Sequence, residues 1–251
     1  MIDLAGRVAV VTGGGRGIGA ATARLLARAG ADVVVGCRAR VDEAEAVAAE
    51  CRAAGVRATV FAADLGAAGG ADALLAHAVA THGGVDIVVA NAGYWPTEAV
   101  PLAEMSDARW ADTAAHNWTA LFHVARAAAR TVREHGRLVF VASTAGQRGE
   151  AFHADYAAAK GAMISLVKSL CVELAPRDVT VNAVAPGWVD TEAVAPVMGD
   201  GYRERVSAAI PIGRIASAED IAGPILFLAS PLARHVTGEI LNVNGGSVLC
   251  G

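Results

Sequence analysis

Apolar residues fall along this chain in two alternating rhythms. Short β-branched runs at Val8–Thr12, Asp32–Cys37, Ala58–Ala62, Ile87–Ala90, Arg137–Ala142, Thr180–Ala183 and Ile240–Val243 read as strands. Between them lie longer Ala/Leu-rich stretches with helical spacing, at about 17–29, 42–54, 70–82, 113–134, 155–174 and 217–229. Strands apolar at successive positions are buried on both faces, as in a parallel sheet covered by helices. The alternation therefore predicts an α/β fold: one doubly wound parallel sheet of about seven strands with right-handed crossovers and helices on both sides. No Pro/Ser-rich linker or repeat interrupts the series, so residues 1–251 are expected to form a single domain. The least regular stretch, about 187–211, holds Pro196, Gly199, Gly201 and Pro211. It is expected to be either a mobile lid of short helices or an ordinary surface excursion.

Composition narrows the class. Of 251 residues, 54% are hydrophobic and 18% charged, enough to bury a core and exclude disorder. A formal net charge of −4 gives no electrostatic footprint for nucleic acid or an anionic membrane. The four cysteines, Cys37, Cys51, Cys171 and Cys250, lack CxxC spacing and read as reduced thiols, not as disulfides or a zinc site. No basic n-region with an apolar h-region precedes the first strand, and no uncharged apolar run approaches membrane-spanning length. A cytoplasmic protein is expected.

The first strand runs into "TGGGRGIG", a glycine-rich turn at the mouth of the first helix. Gly13, Gly17 and Gly19 allow a tight turn, close backbone approach and close helix packing. The helix N-terminus then offers free N–H groups and a positive dipole end to a pyrophosphate. In its strand–turn–helix setting this is a dinucleotide signal, and the absence of a following lysine disfavours a nucleoside triphosphate site. A Rossmann-type fold is implied. The acid that usually reads the adenosine ribose at the end of the second strand is replaced by Cys37, with Arg38 next. A guanidinium there, helped by Arg16, pairs with a 2′-phosphate, so NADP(H) is expected ahead of NAD(H). The alternative leaves Arg38 and Arg40 as solvated surface charges.

Six motifs together resemble the short-chain dehydrogenase/reductase family along essentially the whole chain. They are "TGGGRGIG" (12–19), "NAG" (91–93), "HNWTA" with Asn117, "VAST" with Ser143, "DYAAAK" (155–160) with Tyr156 and Lys160, and "PGWVDT" (186–191). The resemblance implies hydride transfer between a nicotinamide cofactor and a carbonyl or alcohol. Reducing a ketone places negative charge on oxygen and calls for a proton donor. Tyr156 can supply the proton, and a cation one helical turn away, Lys160, is expected to lower the phenol from its usual value of about 10. Ser143 can hydrogen-bond the same oxygen and fix the carbonyl. By resemblance Lys160 also holds the nicotinamide ribose, and Asn117 anchors a water linking Lys160 to solvent. The same resemblance puts Ile18 in the glycine loop, Asp64 and Leu65 at the adenine, and Asn91, Ala92 and Gly93 along the adenosine side. Pro186 and Gly187 turn the chain so that Val189 and Thr191 meet the carboxamide. Asp64 alone could equally be a helix cap.

The length and the closing "LNVNGG" look most like the 3-oxoacyl-[acyl-carrier-protein] reductase-like branch. Arg177 stands where that branch often has a base for a carrier protein, but Glu134 stands where an arginine is expected. Tyr94, Trp95, Gln147, His153 and Trp188, with Glu150, flank the site in sequence and could serve a cyclic ketone, a polyol or a polyketide-like substrate. Glu150 and His153 could instead belong to a surface loop. A sensor that has lost catalysis is expected to lack Ser143, Tyr156 or Lys160, and all three are present. A sugar epimerase is disfavoured by the glycine spacing. Resemblance also implies a homotetramer packed through helices 113–134 and 155–174.

Overall fold

The computed structural model describes residues 2–199 and 201–249; Cys250 lies outside the described residues. Seven strands form one all-parallel sheet: β1 Val8–Thr12, β2 Asp32–Cys37, β3 Ala58–Ala62, β4 Ile87–Ala90, β5 Arg137–Val141, β6 Thr180–Pro186 and β7 Ile240–Val243. Their order is β3-β2-β1-β4-β5-β6-β7, so the chain reverses direction across the sheet between β1 and β4. In such sheets, ligands sit beyond the strand C-termini at that switch point.

The helices are α1 Gly17–Arg28, α2 Val41–Ala53, α3 Gly70–His82, α4 Asp107–Ala114, α5 Ala120–Thr131, α6 Thr144–Arg148, α7 Ala154–Leu174, α8 Tyr202–Ala209 and α9 Ala218–Ala229. Successive strand residues feed opposite cores. Val11, Val33, Val35 and Val139 pack with Leu26 of α1, Val47 of α2 and Ile225 of α9. Val10, Val34, Leu138 and Phe140 pack with Leu75 of α3, Val124 of α5 and Val167 of α7. This two-sided burial is why the strands read as continuous apolar runs rather than alternating ones. Phe140 is 1% exposed, and truncation to alanine would cost about 3–5 kcal/mol.

Three differences from the sequence expectation have local causes. First, β6 continues to Pro186 because β7 pairs with it from Ala183 to Pro186, a tertiary partner that propensity does not reveal. The second concerns the expected 113–134 helix. It begins earlier, at Asp107, where the Ser106 hydroxyl accepts from Arg109 N (3.2 Å), and it ends at Thr131. A π turn at Ala115–Thr119 divides it into α4 and α5. The third is the short α6, which no periodicity signalled. Short helical elements, Ala195–Val197 and α8, occupy the irregular 187–211 stretch. Among the described residues, no helix is long and apolar enough to cross a membrane.

Candidate active site

The glycine turn and the start of α1 fit together backbone to backbone. Gly17 takes a positive φ of 51°, and a Cβ on Gly19 would stand 2.2 Å from the Gly13 carbonyl oxygen. No side chain caps α1 and no acid sits in its first turn, so its N–H groups and dipole remain available to an anion. Thr12 and Asn91 staple the turn to the end of β4. The Thr12 hydroxyl accepts from the N–H groups of Asn91 and Ala92, both at 3.0 Å. The Asn91 amide donates to the carbonyls of Thr12 (3.0 Å) and Gly13 (3.2 Å). Thr12 opens the "TGGGRGIG" motif, but its part in locking the turn to β4 is visible only in the structure.

This turn opens into a cavity of about 600 Å³ along the C-terminal edge of the sheet. At one end it is lined by Arg16, Arg38, Asp64 and Leu65, and past the glycine turn and Ile18 by Asn91, Ala92 and Gly93. Arg16 and Arg38 are exposed there, while Arg40 is drawn onto Glu43 at 2.7 Å. Asp64 accepts from Gly66 N (2.9 Å) at the rim. An uncapped helix N-terminus, a glycine cradle and two guanidinium groups fit a phosphorylated dinucleotide. Pro186, Gly187, Val189 and Thr191 line the middle of the cavity. A Cβ on Gly17 would meet Thr191 Cγ2 at 3.2 Å and Glu192 Oε2 at 3.6 Å, so the post-β6 segment lies across the glycine turn.

Ser143, Tyr156 and Lys160 converge at the same edge. Ser143 lies two residues beyond β5 and caps α6 by accepting from Ala145 N (3.1 Å), and its hydroxyl faces the Tyr156 phenol and draws its pKa down. Lys160, one turn along α7, is 4% exposed and donates to the Val141 carbonyl at 2.6 Å. Its Nζ stands 5.6 Å from the Tyr156 ring centroid. Burial brings the lysine down to about 8. The expected lowering of the phenol by Lys160 is corrected here. Burial drives the phenol well above its ordinary value, Ser143 opposes this, and the Glu150 carboxylate adds to the rise. Lys160 instead spends its contact on Val141.

Asn117 lies in the π turn, whose extra residue aims a side chain off the regular helical path. It donates to the carbonyls of Tyr94 (2.8 Å) and Thr113 (3.0 Å) and accepts from Tyr94 N (3.1 Å). A Cβ on Gly93 would press on Asn117 Oδ1 from 3.0 Å and touch Lys160 Nζ at 3.6 Å, so Gly93 keeps the space beside these two groups open. A buried network beside them escaped the sequence reading. Asp155 accepts from Arg109 Nε (3.0 Å) and the Thr113 hydroxyl (2.8 Å), and Arg109 also donates to Glu98 O (2.8 Å). Burial raises the Asp155 carboxyl, but the bonds from Arg109 and Thr113 outweigh it and hold the group below its usual range. The network pins α4 to the first turn of α7, next to Tyr156.

The far end of the cavity is aromatic. Trp95 meets Trp188 edge-on (5.6 Å, 82°), and Trp188 meets Tyr202 likewise (6.0 Å, 80°). Tyr94 lies at the mouth, 45% exposed, against His116. Two substrate expectations need correction. Gln147 is turned away from the cavity and donates to Asn242 of β7 at 2.7 Å. His153 is buried behind Trp95, stacked on it at 5.0 Å, and does not line the cavity. Glu150, weighed as a surface residue, is instead a cavity wall whose carboxylate accepts from Trp95 Nε1 (3.3 Å). Arg177 donates to the carbonyls of Ala129 (2.7 Å) and Val132, which ties it to the C-terminal end of α5.

Comparison with known proteins agrees with this geometry. Residues 13–247 match the family model described as enoyl-(acyl carrier protein) reductase. The chain is 37% identical over 247 residues to the 3-oxoacyl-[acyl-carrier-protein] reductase FabG of Escherichia coli (strain K12), covering 98% of both. It is 39% identical over 249 residues to the nodulation protein G of a Rhizobium species (strain N33), again covering 98% of both. Among solved structures, a glucose/ribitol dehydrogenase-type short-chain dehydrogenase/reductase from Brucella melitensis superposes with a TM-score of 0.92 at 35% identity, covering 99% of each chain. A short-chain dehydrogenase from Burkholderia cenocepacia J2315, in complex with NADP, gives 0.91 at 35% identity, covering 97% of this chain and 98% of that one. With its glycine cradle and its Ser143, Tyr156 and Lys160 on one cavity edge, the chain belongs to the short-chain dehydrogenase/reductase family and is an oxidoreductase.

Proposed function

We propose that this protein interconverts a ketone and a secondary alcohol with NADP(H), Tyr156 exchanging the proton. The observation that carries this reading is the Tyr156 phenol, facing Ser143 in the same cavity as the uncapped N-terminus of α1. Bound NADPH supplies the hydride. Ser143 and Tyr156 hold the substrate oxygen, and the phenol gives its proton as charge gathers there. Lys160, at about 8, is mostly charged at neutral pH yet can pass a proton on. Asn117 keeps acceptor capacity for a water beside it. Gly13, Gly17, Ile18 and Gly19 hold the pyrophosphate. Arg16 and Arg38 hold the 2′-phosphate, and Asp64, Leu65 and Asn91–Gly93 hold the adenosine. Pro186, Gly187, Val189 and Thr191 hold the carboxamide side, and residues 187–211 act as the substrate loop of a single domain. The NADP complex of the Burkholderia relative supports the cofactor choice.

A second reading, a carrier-protein thioester as substrate, is supported by the name of the Escherichia coli relative. The anchoring of Arg177 removes one base that a carrier protein would have met. A homotetramer is proposed, supported by exposed Trp118 and Phe122 beside and on α5 and by Val172 on α7. Free Cys37, Cys51 and Cys171 support a cytoplasmic setting. The test is nucleotide consumption with a carbonyl panel that includes an acetoacetyl thioester, using NADPH and NADH. Ketone-dependent NADPH oxidation is expected; none with any carbonyl contradicts the reading, and turnover of the thioester alone favours the second. Light scattering after size exclusion checks the tetramer.

A further inference from the structure

Among the described residues, Glu150 is the acid that lines the cavity beside Trp95, and its surroundings are unusual for a carboxylate. Its side chain is 27% exposed, it accepts from the Trp95 indole N–H at 3.3 Å, and its nearest ionisable nitrogen is His153 Nδ1 at 3.8 Å. Burial pushes its pKa above the usual carboxyl range, His153, the Trp95 bond and Arg148 draw it down, and Asp155 adds to the rise; Glu150 in turn raises the Tyr156 phenol. Arg148 is exposed at the rim and Arg205 lies over the Tyr202 ring, 5.4 Å from its centroid, but among the described residues no lysine or arginine nitrogen comes within 4.0 Å of the Glu150 carboxylate. The adjoining walls are two indoles at right angles. His153 is stacked on Trp95, and Trp188, itself backed by Tyr202, meets Trp95 edge-on. Indole faces attract cations, and a half-desolvated carboxylate does so more strongly.

Resting on the ketone–alcohol reading of this cavity, we infer that Glu150, Trp95 and Trp188 form a cation subsite, and that the substrate is a ketone bearing an ammonium group, protonated or quaternary, on the carbon frame beyond its carbonyl. The carbonyl lies at Ser143 and Tyr156, and the ammonium turns into the tryptophan corner. A carboxylate-bearing ketone is repelled from the same place.

Shape-matched probes isolate the charge. With NADPH, kcat/KM is compared for 4-(trimethylammonio)cyclohexanone, its neutral isostere 4-tert-butylcyclohexanone and the anionic 4-oxocyclohexanecarboxylate. The wild type is expected to favour the ammonium ketone over the isostere by about tenfold or more, in keeping with one cation–π contact strengthened by a carboxylate. Glu150→Gln is expected to collapse that ratio. Because each ratio is taken within one variant, any effect of the substitution on Tyr156 cancels. A wild-type preference for the neutral or anionic ketone, or a ratio unmoved by Glu150→Gln, overturns the inference. If no ketone is reduced, the ketone–alcohol reading fails on its own. The subsite is then judged by tryptophan-fluorescence titration with the ammonium ketone and its isostere, on wild type and Glu150→Gln, by the same two criteria.

Discussion

The two ends of the cavity are built differently. At the dinucleotide end the working surface is mostly backbone: a glycine turn, the open N–H groups of α1 and the Thr12–Asn91 bonds that lock turn to sheet. At the substrate end it is side chain throughout, supplied by the segments after β4, β5 and β6. Backbone sites are specified by spacing within one short stretch, because glycine alone tolerates the turn and the contact. Side-chain sites are specified by which loops the fold happens to bring together. The first kind can be read along a sequence; the second needs the sheet topology.

The contrast can be broken from either side. Tyr156→Phe removes the proton from the side-chain end, and kcat is expected to fall about 10²–10⁴-fold with NADPH still bound, as read by steady-state kinetics and nucleotide titration. Gly19→Ala strikes the backbone end, where the new Cβ would press on the Gly13 carbonyl from 2.2 Å. It is expected to cost about 3 kcal/mol of stability, at the upper end for overpacking, and to weaken NADPH binding; unfolding by denaturant measures the first and calorimetry the second. Arg38→Ala leaves the backbone cradle intact and is expected to lower the NADPH-over-NADH ratio of kcat/KM by about tenfold or somewhat more, the worth of a charged hydrogen bond.

Lys160 supplies a pH signature. Folding lowers it from 10.5 to about 8, so in the free protein the unfolded chain holds the proton over a window where the folded chain has released it. Stability of the free protein therefore rises between about pH 8 and pH 10, by roughly 2 kcal/mol relative to Lys160→Met. Above about pH 10 the raised Tyr156 works in the opposite sense, since the unfolded phenol then loses its proton first. Denaturant melts of both proteins across pH check this. The smallest effect belongs to Gln147→Ala, which is expected to leave kcat/KM within about twofold because its amide is spent on Asn242 outside the cavity.

Much of the fold was legible. Five of the seven strands keep both of their expected ends, because burial on both sheet faces leaves an unbroken apolar run that no helix pattern imitates. The sequence also pointed to Ser143, Tyr156 and Lys160 as neighbours, and the structure brings them to one edge. The π turn around Asn117 was not legible, since one extra residue in a helix leaves no mark on an alanine-rich periodicity. Nor was the Arg109–Asp155–Thr113 network, whose members are 42 and 46 residues apart in their two bonds. Glu150 and His153 sit three residues apart, yet only the structure separates the cavity wall from the buried support behind Trp95.

The central claim is that Tyr156 gives the proton while NADPH gives the hydride in this cavity. The most direct measurement follows deuterium from NADPH labelled at the nicotinamide 4-position into a ketone reduced by wild type and by Tyr156→Phe. The account predicts label on the carbinol carbon with wild type and almost none with Tyr156→Phe, although that variant still binds the nucleotide. Label transfer by Tyr156→Phe at a rate near wild type would contradict it.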